Sequence, residues 1–297
     1  MEGLALLILE SWWRAVLATT FFGLLGLYVL PFTIASAAAA ALYTLRYGIR
    51  SGLVVTLLSI GLMAALNGVL PERPGFPFPP VFALFPPLLL SAELLRRTAS
   101  LGAALSALAL YMALYLLWTH WSLGDVVQFW DRWLREAVKN VPGATVRGFY
   151  QEGTVRLFNG LVAVLYEVTT FVALLLARWW WSLVIEPGGF KREFLQLRTP
   201  PVLLALFVGL MWFVGSALED RLLMSELFIV AMGTYMFQGL AALHGLKEIY
   251  GWRWYFLLPV YAAFWVMPSQ IIPALALFGT ADLFVDFRRR LGKREEG

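Results

Sequence analysis

The sequence predicts an all-α, polytopic transmembrane helical bundle, and three observations predict it. Hydrophobic residues fill 60% of the 297 positions and charged residues 14%, with a mean hydropathy of +0.74. A soluble domain is about half apolar and about a quarter charged. The apolar residues gather into blocks of roughly 15–25, the length needed to cross a hydrocarbon layer about 30 Å thick. The basic residues collect in alternate loops between those blocks, as they do in membrane proteins. The same composition excludes disorder and a collagen-like repeat. Blocks this long, without two-residue alternation, also argue against an outer-membrane barrel.

Taken in order, the first block runs from Trp13 to Leu30 and stops at Pro31. The preceding MEGLALLILESWWR starts acidic and has no small-residue cleavage site, so it is expected to stay attached rather than act as a cleaved signal. An alanine-rich segment, Phe32 to Leu45, comes next, then Ser51 to Leu70. PERPGFPFPP (71–80) cannot be helical and reads as a loop. Val81 to Leu95 carries Pro86 and Pro87, and Ala99 to Trp118 follows. Later blocks are Leu157 to Ala177, Pro201 to Leu218 and Leu222 to Leu246, closed by the shorter Trp254 to Met267 and Ser269 to Phe287. The segments near 32–45, 81–95 and 254–287 are short for a full crossing, which gives an expectation of about eight to ten membrane segments.

Placing the N-terminus in the cytoplasm and alternating puts Arg14, Arg46, Arg50, Arg96, Arg97, Arg178, Lys191, Arg192, Arg198, Lys247, Arg253 and the tail Arg288, Arg289, Arg290, Lys293, Arg294 inside. The outer loops keep the remaining basic residues, diluted by Glu72, Asp125, Asp131, Glu136, Glu219 and Asp220. Both termini are therefore expected in the cytoplasm, in a bacterial inner membrane. The net charge of +4 is accounted for by these loops, with no call for nucleic acid.

Residues 123–141, LGDVVQFWDRWLREAVKNV, form an amphipathic helix. Val126, Trp130, Trp133 and Ala137 share a stripe, flanked by Phe129, Leu134 and Val141. Asp125, Gln128, Asp131, Arg132, Arg135, Glu136 and Lys139 lie opposite. Such a helix suits the lipid headgroup region, either as a connector or as a gating or partner-binding element. Trp179, Trp180 and Trp181 stand at an expected inner boundary, where indoles anchor helix ends. No loop is long enough for a soluble domain, so residues 1–297 form a single integral membrane domain with the 123–141 helix inside it.

GGFKREFLQLR (188–198), FQGLAALHGL (237–246) and FGTADLFVDFRRRL (278–291), in that order, resemble the YybS-like family of uncharacterised bacterial inner-membrane proteins. PFTIASAAAAALYTLRYGIRSGLVVTLLS, from Pro31 to Ser59, resembles the start of the S components of energy-coupling-factor transporters, with a Y-G-x-x-x-G turn at Tyr47, Gly48 and Gly52. The resemblance implies an S-component-like N-terminal part and a role in small-molecule transport. The chain exceeds the usual six-helix S component, and its last segments have no counterpart there. Fold analogy alone does not fix function.

Polar groups inside apolar helices are expensive in lipid and so mark candidate sites. Thr234, Gln238, Ala241 and Gly245 make one small and polar stripe, with Tyr235 beside it and His244 near the inner end. Gln238 can donate and accept, either to a ligand or to a neighbouring backbone; His244 binds ligand or caps the helix end. Glu167 is the deepest acid, with Thr170 one turn on, Asn159 on roughly the same face, and Asn67 in another helix. It serves a ligand or a proton, or bonds another helix. Glu93 pairs with Arg96 and Arg97, and Asp282 and Asp286 belong to a charge cluster with Arg288–Arg290.

Ala35, Ala37, Ala39 and Ala41 give small-xxx-small pairs that allow close helix approach. In S components such a face docks the transmembrane coupling subunit, which would make these a partner-docking surface; the alternative is internal packing. There are no cysteines, only two histidines, and no Walker A, HExxH or GxSxG motif. No catalytic residue, metal site or cofactor is expected, and the chain reads as a non-enzyme. The reading is a small-molecule binding or transport component with the lipid bilayer and an unidentified solute as partners. The alternative is a scaffold or regulatory protein that binds another membrane protein.

Overall fold

A computed structural model describes residues 1–29, 31–67, 80–139, 153–218 and 220–290, without the side chains of Asn67 and residues 80–83. The loop read at 71–80, Glu72, Glu219, Val141 and the last tail residues lie outside these bounds, save Pro80 as the first helical residue. The described residues form helices and turns with no strand. In chain order they are α1 (Glu2–Glu10), α2 (Trp12–Gly26), α3 (Pro31–Tyr47), α4 (Ile49–Asn67), α5 (Pro80–Thr98), α6 (Leu101–Leu123) and α7 (Val126–Lys139). Then come α8 (Phe158–Val184), α9 (Gly189–Leu195), α10 (Pro201–Ala217), α11 (Arg221–Ile249), α12 (Leu258–Val266) and α13 (Pro268–Val285).

Among the described residues, five spans are long and apolar enough to cross a membrane: Ile49–Leu66, Leu101–Leu123, Thr154–Val184, Arg221–Ile249 and Pro268–Val285. The surface agrees with that composition. Trp212, Trp265, Leu277, Phe284 and Leu114 all stand exposed, and a water-soluble monomer seldom exposes so many large apolar side chains. The chain is a multi-pass membrane protein. Other apolar helices fall short in length or in composition: α5, at 19 residues, carries Glu93, Arg96 and Arg97. Pro201–Ala217 and Trp254–Val266 fall below the length of a span, and Met267, at φ −143 and ψ 60, separates α12 from α13 just before Pro268.

Sequence reading began the first segment at Trp13. The structure has a separate α1 before it, because Ser11 is extended at φ −158 and ψ 151 and breaks the chain between two helices. Ala5 and Ile8 bury one face of α1, and the Tyr47 hydroxyl donates to the Leu9 carbonyl at 2.8 Å. In α5, Pro86 and Pro87 sit inside a continuous helix.

The alanine helix is the hub. α3 packs against α1, α2, α4, α5 and α8, and Ala37, Ala38, Ala39, Ala40 and Ala41 have no exposed surface. Small side chains are what let so many neighbours approach one helix. Of the residues read as a docking face, Ala37, Ala39 and Ala41 are enclosed by the chain's own helices, and Ala35 is only partly exposed. Here the face packs internally, the second of the two uses read for it. The turn after α3 shows why Y-G-x-x-x-G needs its glycines. Gly48 sits at φ +86, and a Cβ on Gly52 would strike the Thr44 side chain.

α7 is amphipathic as read, but its tryptophan face meets protein. Val126, Trp130 and Leu134 are buried, and Trp130 stacks near Phe158 with ring centroids 5.1 Å apart. The indole sought by the headgroup reading is therefore used to dock α7 on the start of α8. Trp180 is likewise buried inside the bundle, whereas Trp179 and Trp181 stay partly exposed.

Candidate functional site

α8 and α11 run side by side in the same direction. Asn159 meets Glu226 and Glu167 meets Thr234, both contacts spanning the same sequence offset. Equal offsets are the mark of a parallel pair. The two rungs stand eight residues apart on each helix, a rise of about 12 Å. Glycines permit the approach: a Cβ on Gly160 would come within 3.0 Å of the Glu226 backbone, and one on Gly233 within 2.8 Å of a Glu167 carboxylate oxygen. The result is a polar seam inside an otherwise apolar bundle.

In the first rung, His120 at the end of α6 faces two carboxylates. Its Nδ1 is 3.0 Å from Asp220 Oδ2, and its Nε2 is 2.8 Å from Glu226 Oε2. The Asn159 amide nitrogen donates to the same Glu226 oxygen at 2.9 Å and to Thr119 Oγ1 at 3.0 Å. Asn159 Oδ1 accepts from the Trp130 indole at 3.2 Å. An indole N–H only donates, so it decides which end of the Asn159 amide points where. The docking of α7 thus sets the orientation of a side chain beside Glu226. Asp220 also caps α11, its Oδ1 accepting from the amides of Leu222 and Leu223 at 3.1 and 3.0 Å.

In the second rung, Thr234 donates to Glu167 Oε1 at 2.6 Å. Glu167 and Glu226 are both fully buried. Each keeps one carboxylate oxygen with no hydrogen-bond partner among the described residues, Oε2 of Glu167 and Oε1 of Glu226, and the Thr170 hydroxyl one turn along is in the same condition.

Gln238, one turn further on, is used by the fold. Its Oε1 accepts from the Thr199 amide and hydroxyl at 2.9 and 2.7 Å, and its Nε2 donates to the Gly279 carbonyl at 2.7 Å. That ties α11 to the start of α10 and to α13. α11 and α13 cross in contact there, because Gly239 lies against the Leu275 carbonyl and Gly279 against the Tyr235 carbonyl. Tyr235 is buried at this crossing. His244 is further away, bonding the Leu240 carbonyl and the Tyr261 hydroxyl at 2.8 and 3.1 Å. Asn67 ends α4, which packs against α2, α3 and α5, so it belongs to another part of the bundle.

Of the residues singled out in the sequence, Glu167, Thr234 and Asn159 share the seam. Gln238 and Tyr235 adjoin it, whereas His244 and Asn67 stand apart. Sequence reading missed His120, Glu226 and Asp220. A signal was present: the stripe of Thr234 and Gln238, continued toward the start of α11 in steps of four, passes Val230 and lands on Glu226. His120 comes from another helix, and nothing local announces its partners.

No protein-family model matches the chain, and no curated protein and no solved structure matches it. The site is therefore interpreted from its own chemistry. Among the described residues, no group of three or more His, Asp or Glu side chains converges as a metal cage. At His120 the imidazole ring stands between the two carboxylates.

The opposite end of the bundle holds a different set of charges. Arg178, at the end of α8, donates to Glu193 Oε2 and Glu186 Oε2, both at 2.7 Å. With Leu45, Leu95, Arg96, Ala99 and Trp181 these three line a cavity of about 200 Å³. Glu93 accepts from Arg96 and Arg97 and from the first amide of α4, Ile49, at 3.0 Å. Arg198 pairs with Asp286 and Arg288 with Asp282. The pairing read for Glu93 and Asp282 in the sequence is what the structure has. Arg178 bonded to Glu186 holds that carboxyl below its ordinary value. Burial pushes Asp286 up, but Arg198 outweighs it and the carboxyl ends low as well.

Proposed function

We propose that this protein is a small-molecule transport component of the bacterial inner membrane, with both termini cytoplasmic, working through the seam between α8 and α11. The observation that carries this reading is the pair of fully buried carboxylates, Glu167 and Glu226, each with an oxygen that no group among the described residues satisfies. A charged side chain at the centre of a membrane helix costs about 2.5–3.5 kcal/mol on insertion scales, and Glu167 stands near the middle of the span Thr154–Val184. A helix pair that served only to pack would do better with apolar residues there. The open oxygens suit a solute that presents hydrogen-bond donors or positive charge. Neither carboxylate touches solvent, so the solute reaches them only when α8 and its neighbours part, and binding favours that open form.

The sidedness rests on the same bundle. The basic residues assigned to the cytoplasm, Arg96, Arg178, Arg192, Arg198 and Arg288, sit around the cavity end, and Asp220 and His120 at the other. The scaffold alternative drew on the alanine face, which α3 spends inside the bundle.

The reading is tested by thermal-shift screening of the detergent-purified chain against amines, amino acids and vitamins. A ligand that raises the melting temperature of the native chain and has no effect on Glu167→Gln supports it. If every stabilising compound acts equally on Glu167→Gln, or none stabilises at all, the reading fails. Gln238→Ala is the wrong probe, since it cuts the tie among α10, α11 and α13.

A further inference from the structure

Asp220, His120 and Glu226 form a line from the surface into the bundle. Side-chain exposure falls from 34% at Asp220 to 13% at His120 and to 0% at Glu226. Both ring nitrogens face carboxylate oxygens, and each of those contacts needs a proton. A neutral imidazole brings only one. The triad therefore holds one proton more than a neutral histidine and two carboxylates would, carried either on the ring or on a carboxyl. Glu226 is held by His120 and Asn159, and among the described residues no arginine bonds to it to hold it permanently ionised. Its Oε1 is buried and open.

The elements around the triad bring few other charges. α6 contributes Tyr115 and α8 Tyr166, the former coupled electrostatically to both Tyr166 and Glu226. α7 contributes the neutral Trp130. The turn before α8 carries Arg156, which lines a surface recess with Asp125, Gln128 and Asp131. On α11, Arg221 follows Asp220 in sequence. Histidine is the side chain whose ordinary range lies nearest neutral pH, which suits it to pass a proton between two acids.

We infer that Asp220, His120 and Glu226 are a proton-binding relay that loads Glu226 from water at the acidic end of the bundle. A proton arriving on Asp220 passes to Nδ1 of His120 as the Nε2 proton passes to Oε2 of Glu226. The Asp220 O–H and the Nε2–H break as the Nδ1–H and the Glu226 O–H form, and the reverse transfer empties the site. Nothing is oxidised or reduced. The relay deepens the transport reading by giving it a coupling ion, and it rests on that reading only for its purpose.

The test is infrared spectroscopy of the purified full-length chain without added solute. A carboxylic C=O band should appear as pH falls and should be missing in Glu226→Gln. Exchange of that proton in D₂O should slow by roughly a hundredfold in His120→Gln and in Asp220→Asn, the usual scale for losing one positioned proton carrier. Asp220→Asn keeps the Oδ1 that caps α11 and so separates the relay from folding, deciding the matter alone if His120→Gln does not fold. A band that survives Glu226→Gln, or exchange that keeps its native rate in Asp220→Asn, overturns the relay. Since no solute is present, a failed ligand screen with an intact relay sinks the transport reading alone.

Discussion

At the cavity end of the bundle, Arg178 is almost fully buried and yet spans two carboxylates, Glu186 and Glu193, while Arg192 reaches Glu186 from the other side. At the acidic end, Glu226 is fully buried and its titratable partner is a histidine, itself shared with Asp220. Both ends place charge out of water. Arginine never gives up its proton, so each pair at the cavity end is a permanent tie that holds α8 to α9 and the α9–α10 connection to the residue after α13. Histidine exchanges its proton readily, so the ties at the acidic end depend on where one proton sits. The difference separates a network that holds the fold from one able to work.

The largest effect should come from cutting a permanent tie. Arg178→Gln leaves Glu193, only 13% exposed, without its cation. Removing one partner of a buried ion pair costs about 3–5 kcal/mol. The melting temperature in detergent should fall sharply. If it does not, the cavity end is not the structural one and the comparison breaks.

A smaller loss is expected at the α11–α13 crossing. Gly279→Ala would set a methyl against the Tyr235 carbonyl, and overpacking of this kind costs about 1–3 kcal/mol. α13 leads into Asp286 and carries Asp282, which hold Arg198 and Arg288. His120, Asn159 and Glu226 lie on α6, α8 and the first turns of α11. The substitution should therefore lower stability while leaving the Glu226 infrared band in place. A shift of that band would show that the two ends are coupled through the crossing.

The cavity end should also carry a pH signature. Glu186 and Asp286 have lowered carboxyl values in the folded chain, from the bonds of Arg178 and, for Asp286, of Arg198 against the burial that opposes it. A depressed folded value means stability that is present above the ordinary values, 4.5 for Glu186 and 3.8 for Asp286, and lost as pH falls through the lower folded ones. Unfolding followed downward from pH 5 should show stability declining in the native chain. Arg178→Gln should flatten the part due to Glu186. Since Glu186 is 43% exposed, solvent screens the pair and the change is modest.

Much of this contrast was legible in the sequence. The length of the apolar blocks and the charged loops between them pointed to membrane helices, because a crossing needs about 20 apolar residues in a row. Glu167, Asn159 and Thr234 stood out because polar residues inside apolar runs are rare. Three things were hidden. Ser11 divides α1 from α2 by backbone conformation, and one serine is weak punctuation. The tryptophan face of α7 looks the same whether it meets lipid or protein, since both are apolar. His120 lies about a hundred residues from its two acids, so only the tertiary fold brings them together.

The smallest effect on stability is expected where the effect on function should be greatest. Glu226→Gln keeps the shape of the side chain and an oxygen able to accept from Asn159, with a neutral amide in place of the carboxyl. Exchanging one neutral hydrogen bond for another changes stability by about 1 kcal/mol or less. Thermal unfolding of Glu226→Gln should therefore stay close to the native curve, far from the loss in Arg178→Gln. A collapse as deep as that of Arg178→Gln would make Glu226 a structural tie like those at the other end, held by an ionised His120. A near-native curve leaves its cost in lipid without a packing reason, which is the condition expected of a carboxyl kept for the proton it takes up and returns.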